Sequence, residues 1–297
     1  MASDKKVSAP PRDEWVSAGG LKLHYRDWGG SGQPIVLLHG LASPCHIWDL
    51  VAPILARDFA VVALDQRGHG ESDKPPDAYD FAAVSADLHG FIEATGVERP
   101  ILVGHSWGGD VALEYAVAYP GSPTGLCFVD GGTIEVSSRA GMTLERARQE
   151  MAPPDFTGLT TESFRERMRS RRRGSWATPQ VEEIVLANFE PTGDGGIRPR
   201  LSRANHMRVV DAFWEHRPSL LYPRVTCPVL IMPARQAGDE AREEWAKRRQ
   251  ESVRVAEKGL ARVRTVWMED SVHDVPLQRP ELVATVIGQQ IKRGFFG

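Results

Sequence analysis

Short uninterrupted apolar runs recur at residues 34–38, 60–64, 101–103, 126–129, 228–232 and 263–268, and stretches with helical spacing separate most of them. Runs without polar alternation are buried on both faces, as in parallel strands covered by helices on each side. The chain therefore predicts an α/β fold: a doubly wound, mainly parallel sheet flanked by helices, with functional groups gathered at the strand carboxyl ends. Ahead of these runs, residues 15–17 and 21–28 alternate around Gly19-Gly20 and predict a β-hairpin. Residues 1–14 read as a flexible N-terminal arm.

The strand pattern stops between residues 133 and 222. Only helical patterns occur there, at 144–151, 161–172, 181–189 and 201–215, divided by Pro153-Pro154, Gly174, Pro179 and Gly193-Asp194-Gly195-Gly196. This predicts an all-helical cap, residues 133–222, inserted into a core made of residues 15–132 and 223–297.

Composition narrows the function classes. A chain of 297 residues, 41% hydrophobic, can bury a large core. Its net charge of −3 argues against nucleic acid as the main partner, since phosphate binding needs a basic surface. The arginines between Arg165 and Arg173 are interleaved with Glu162 and Glu166, as on a solvated helix face. Cys45, Cys127 and Cys227 are too few and too scattered for a disulfide framework or a zinc cluster. With neither a signal-type apolar region near Met1 nor a membrane-length apolar run, the expectation is a cytoplasmic protein without membrane partners.

Candidate chemistry enters at Gly104-His105-Ser106-Trp107-Gly108, between an apolar strand and an amphipathic helix. A serine framed by glycines at a strand-to-helix turn fits a nucleophile elbow, with the hydroxyl projecting at the tip. Ser106 is the candidate nucleophile, and the backbone N–H of Trp107 points where a negative oxygen would form.

Further segments extend this pattern: Leu38-His39-Gly40-Leu41, Asp65-Gln66-Arg67-Gly68-His69-Gly70, Asp130-Gly131-Gly132 and Ser271-Val272-His273-Asp274. In motif order and spacing the chain resembles the α/β-hydrolase family over nearly its whole length, in its serine-nucleophile, esterase- or lipase-like branch with a helical cap. The resemblance implies that Leu41 N–H joins Trp107 N–H in an oxyanion hole and that His273 is the general base. It implies two positions for the acid that orients this base: Asp130, which is preferred, and Asp239, the alternative. Members that open epoxides or remove halide use an aspartate at the elbow; Ser106 points instead to acyl transfer. His39 reads as an ordinary buried histidine, and the segment from Asp65 to Asp73 as a structural turn.

The expected activity is hydrolysis of a carboxylic ester through an acyl-enzyme, by a Ser106-His273-Asp130 triad, on a small or medium, largely apolar substrate. Lactone or C–C bond hydrolysis, perhydrolysis without a cofactor, and slow-turnover ligand reception on the same fold are the alternatives. Trp48, Phe164, Phe213 and Trp214 are the candidate substrate contacts. No metal or cofactor motif is evident, and a monomer or weak homo-oligomer is expected.

Overall fold

The computed structural model describes residues 10–171, 176–236 and 240–297. Ten strands matter for the site and its surroundings: β1 (Arg12–Ala18), β2 (Leu21–Gly29), β3 (Pro34–Leu38), β4 (Ala60–Leu64), β5 (Ile101–His105), β6 (Gly125–Val129), β7 (Phe189–Pro191), β8 (Ile197–Pro199), β9 (Val229–Met232) and β10 (Ala234–Arg235). Two more, β11 (Val263–Thr265) and β12 (Met268–Glu269), complete the set.

Eight of them form one sheet in the order β1-β2-β4-β3-β5-β6-β9-β11. The β1–β2 and β2–β4 pairs are antiparallel, and every pairing from β4 across to β11 is parallel. The apolar runs behave as their uniformity predicts. Val36, Leu38, Leu102, Leu126 and Phe128 pack into one buried cluster, while Ile35, Leu37, Val103, Cys127 and Val129 pack into another. Successive residues thus feed opposite faces of the sheet. Helices Phe81–Thr95 and Trp107–Ala118 contribute to the first cluster, and Pro280–Lys292 to the second.

Three local differences from the sequence reading have simple causes. Strand β1 begins at Arg12, inside the expected arm, because residues 12–14 continue the ladder opposite Asp27, Arg26 and Tyr25 and Arg12 pairs with Asp27. The run 263–268 divides, β11 staying in the main sheet while β12 pairs with β10 in a separate ribbon.

The insertion is not wholly helical. Helices Leu144–Glu150, Thr161–Arg171, Pro179–Leu186, Arg203–Glu215 and Pro218–Leu221 are joined by the antiparallel pair β7–β8. Its turn is the glycine-rich stretch Gly193-Asp194-Gly195-Gly196, closed by the N–H of Thr192 donating to Gly196 O at 2.8 Å. Such short ribbons are set by turn chemistry rather than by periodicity, so the helical pattern hid this one.

Candidate active site

Ser106 occupies the turn between β5 and the helix Trp107–Ala118, at φ 50° and ψ −124°. A non-glycine residue held there stores roughly 1–3 kcal/mol of strain. Gly104 makes the turn possible, since a Cβ on it would lie 2.2 Å from the Gly108 backbone. The turn is also tied sideways: Ser106 N–H donates to Val129 O at 3.1 Å.

At the next strand end the geometry repeats. Asp130, with φ 49°, follows β6, and its N–H donates to Met232 O at 3.0 Å. A Cβ on Gly131 would lie 2.1 Å from Ser106 O, so the two turns fit against each other only with glycine at that position. Strand ends β5, β6 and β9 are therefore laced together through backbone bonds, and side chains leaving them have fixed origins.

His273 arrives on the loop after β12. Its Nδ1–H donates to Asp130 Oδ2 at 2.5 Å, and its Nε2 lies 3.0 Å from Ser106 Oγ. A carboxylate can only accept, which assigns the proton to Nδ1 and leaves Nε2 free to receive the serine proton. Asp130 is fully buried, whereas the His273 side chain is 46% exposed. Burial pushes the Asp130 carboxyl up. The guanidinium of Arg249, the hydrogen bond and charge of His273 and the Ala234 N–H outweigh it and hold the carboxyl below its ordinary range. The other proposed acid position, Asp239, lies outside the described residues.

Behind the base sits His105, whose Nε2–H donates to the His273 carbonyl oxygen at 2.8 Å. Burial pushes the His105 imidazole down to about 4, helped by the neighbouring His273, so it is neutral near pH 7. Leu41 follows β3 and lines the cavity in front of Ser106. Among the described residues, neither Leu41 N–H nor Trp107 N–H donates to a backbone acceptor outside regular elements; the latter opens a helix, where N–H groups have no intrahelical partner.

Two adjoining cavities lie on this side of the sheet, and Ser106 lines the smaller of them. The first, about 190 Å³, contains Ser106, His273, Leu41, Ile184, Val185 and Asn188 in its wall. The second, about 330 Å³, shares Ala42, Ser43, Val185 and Asn188 with it and extends beneath the insertion. Phe156, Phe164 and Phe189 form an aromatic wall there, with ring centroids 5.0 and 4.6 Å apart.

Of the four sequence-predicted contacts, Phe164 lines the larger of these two cavities and the others line neither. Trp48 is fully buried below the strand ends, edge-on to His105. Phe213 packs edge-on against Phe81 in the core, and Trp214 lies against the same cluster. Both belong to the amphipathic helix Arg203–Glu215, whose apolar stripe is spent on docking the insertion to the core. Asn188, Val185 and Arg249 were missed. Their identities carry no motif, and only the packing of the insertion and of the helix Glu240–Gly259 brings them to the site.

The remaining conspicuous groups have structural partners. His39 Nδ1–H donates to Gly40 O at 2.8 Å and its Nε2 accepts from Gln66 N–H at 3.0 Å. Arg67 clamps Asp87 and donates to Ala78 O, fixing the turn after β4. His24, Cys45 and Asp65 have potential ligand atoms within 4.8 Å of one another. The oxygens of Asp65 already accept from His24 Nδ1, Cys45 N–H and Glu71 N–H, while burial pushes the Cys45 thiol well up. That trio fits a hydrogen-bonded core network better than a metal centre, which would need the thiolate. Among the described residues, no helix is long and apolar enough to cross a membrane.

A family profile described as alpha/beta hydrolase fold matches residues 33–178. The chain is 39% identical over 97 residues to the soluble epoxide hydrolase of Corynebacterium sp. (strain C12), covering 33% of this chain and 34% of that protein. It is 29% identical over 225 residues to epoxide hydrolase A of Mycobacterium tuberculosis, covering 70% and 63%. For the first of these the chain thus spans about a third of the relative's length. Among solved structures, E-2-(acetamidomethylene)succinate hydrolase superposes with a TM-score of 0.74 at 24% identity, over 95% of this chain and 99% of that one. That likeness is one of fold.

Proposed function

We propose that this chain, whose fold is that of the α/β hydrolases, is a serine hydrolase cleaving carboxylic esters through an acyl-enzyme. The observation that carries the reading is the unbroken relay from Ser106 Oγ to His273 and on to buried Asp130. His273 Nε2 takes the hydroxyl proton as Oγ attacks the ester carbonyl. The tetrahedral oxygen gathers negative charge, for which Leu41 N–H and Trp107 N–H are the donors; each such donor contributes on the order of 3 kcal/mol. Collapse expels the alcohol, protonated by His273, and leaves an ester on Ser106. Water, deprotonated by the same imidazole, then releases the acid.

The relatives named for epoxide opening require a different step. A serine that attacked an epoxide carbon would be left as an ether, which offers no carbonyl to water. Attack on an acyl carbon leaves an ester, which does. The elbow serine therefore favours acyl substrates over the epoxide reaction named for those two proteins. Phe156, Phe164 and Phe189 favour an apolar group of small to medium size in the larger cavity, and cleavage of a lactone would use the same groups.

An organophosphonate should label Ser106 stoichiometrically, and short p-nitrophenyl esters should be turned over. Ser106→Ala should abolish both, with turnover falling on the order of 10⁵-fold or more. Labelling of the alanine variant at the wild-type rate, or an active wild type that never labels at Ser106, would overturn the reading.

A further inference from the structure

The helix Glu240–Gly259 sends Arg249 inward, and its Nη1 lies 2.6 Å from Asp130 Oδ1. The arginine side chain is 12% exposed and the aspartate fully buried. Asp130 uses its two oxygens differently. Oδ2 accepts from His273, while Oδ1 accepts from Ala234 N–H at 2.8 Å and from Arg249. The guanidinium is itself held by stacking over Trp245, one helical turn earlier, at 4.5 Å from the ring centroid.

We propose that Arg249 is a positioning residue for the triad: it locks the Asp130 carboxylate so that Oδ2 faces His273. The inference rests on the ester-hydrolase reading above and adds a fourth member to its relay.

Two physical consequences follow, each with its own readout. Without the arginine, Oδ1 would keep only the neutral bond from Ala234 N–H; the charge-assisted bond from Arg249 to the same oxygen is the stronger hold against rotation about Cβ–Cγ. Weakening it would misalign His273 and lower turnover, while the apolar walls of the larger cavity stay as they are. A buried cation next to the acid also disfavours adding a proton to the His273–Asp130 pair. The acidic limb of kcat/KM should therefore lie at lower pH with the arginine than without it. Other charged or titratable groups act on the same cluster: neutral His105, whose ring centroid is 4.9 Å from that of His273, Asp274 beside the base, and the cations Arg139 and Arg248. None of the described hydrogen bonds or ion pairs joins these groups to an oxygen of Asp130, so Arg249 has a direct hold that they lack.

The test compares Arg249→Lys, Arg249→Gln and Arg249→Met with wild type, using full pH profiles on a p-nitrophenyl ester, phosphonate labelling rates at Ser106 and melting temperatures. Gln and Met should lower kcat about tenfold or more with KM within twofold, slow labelling by a similar factor, and move the acidic limb up by about half a pH unit or more. Lys should restore the limb and part of kcat, since it returns the charge without the planar fork. Folded Gln or Met variants with unchanged limb and kcat within twofold would overturn the proposal. So would equal losses in Lys, Gln and Met with no movement of the limb. Failure of both neutral variants to fold would assign the arginine to the fold rather than to the triad, and also overturn it. A Ser106→Ala enzyme that kept its activity would instead sink the underlying hydrolase reading, so the two failures are separable.

Discussion

The strand-end edge and the inserted segment sit on opposite sides of the same cavities, yet they are held by different physics. At the edge, backbone bonds cross from turn to turn: Ser106 N–H to Val129 O, Asp130 N–H to Met232 O, and His105 to the His273 carbonyl. Moving any one residue breaks a buried hydrogen bond, at a cost of about 1–3 kcal/mol. The insertion is held instead through side chains: apolar packing, the buried His216 between Asp110 and Glu114, and outward-facing ion pairs such as Arg148–Asp211. Exposed pairs of that kind contribute about 0–1 kcal/mol each. The difference teaches that the proposed reacting groups are fixed by the register of the sheet, whereas the proposed substrate wall can be altered without displacing them.

The largest effect that would break this comparison is at the acid. Asp130→Asn should reduce turnover about 10⁴-fold, because an amide facing Nδ1 favours the imidazole tautomer with its proton on the wrong nitrogen. Asp239→Asn should cost less than threefold. Side-by-side kinetics with circular dichroism on both variants provide the check. A mild Asp130 variant and a crippled Asp239 variant would move the role to the loop after β10 and remove Asp130 from the relay.

The same contrast explains what could be read from the chain alone. Ser106 and His273 were legible because their surroundings are local: a run of apolar residues, a glycine-framed turn, and a histidine just past the last strand. Asp130 was less legible because two strand ends offer a carboxylate, and choosing between them requires knowing which loop reaches His273. Arg249 could not be found at all. It sits among Trp245, Lys247, Arg248 and Glu251 on a helix that reads as a charged surface, and only the three-dimensional turn of that helix points one arginine at a buried acid. The roles of Trp48, Phe213 and Trp214 are hard to read for a related reason: large apolar side chains serve core packing and cavity walls alike, and periodicity does not distinguish them.

A paired substitution sharpens the docking-versus-wall distinction. Phe213→Ala should destabilise the protein by about 3–5 kcal/mol, the usual cost of removing a buried phenyl ring, while leaving the ranking of acyl chain lengths unchanged. Phe164→Ala should do the reverse, costing less stability and shifting that ranking about tenfold in favour of longer or bulkier acyl groups. Urea melts and a series of p-nitrophenyl esters supply both readouts. An unaltered ranking in the Phe164 variant would show that the larger cavity does not receive the acyl group.

The smallest effect concerns the seam between the two regions. His216, at the end of the helix Arg203–Glu215, is fully buried and stacks on Phe81 with centroids 4.1 Å apart. Its Nε2 faces Asp110 Oδ1 at 3.2 Å and its Nδ1 faces Glu114 Oε1 at 2.9 Å, both on the helix that follows Ser106. With an acceptor at each nitrogen, the ring is held as an imidazolium. Burial pushes its pKa down, but hydrogen bonds and charge from Asp110 and Glu114 prevail and raise it to about 9. Asp110 also accepts from Gly132 N–H and Ile134 N–H, so one carboxylate grips the chain where the insertion leaves the core and where it returns. The folded state binds this proton more tightly than the unfolded chain, whose histidine titrates near 6.5. The stabilisation is therefore complete below about pH 6.5 and lost as pH rises through about 9. His216→Gln should remove that slope and cost about 2 kcal/mol at pH 6.5, converging on wild type above pH 9. Because no described hydrogen bond joins the side chains of His216, Asp110 or Glu114 to those of Ser106, His273 or Asp130, kcat at pH 7 should fall less than threefold, with KM the more affected constant. Stability-versus-pH curves that ran parallel for the two proteins would show that the proton on His216 does not fasten the insertion to the catalytic edge.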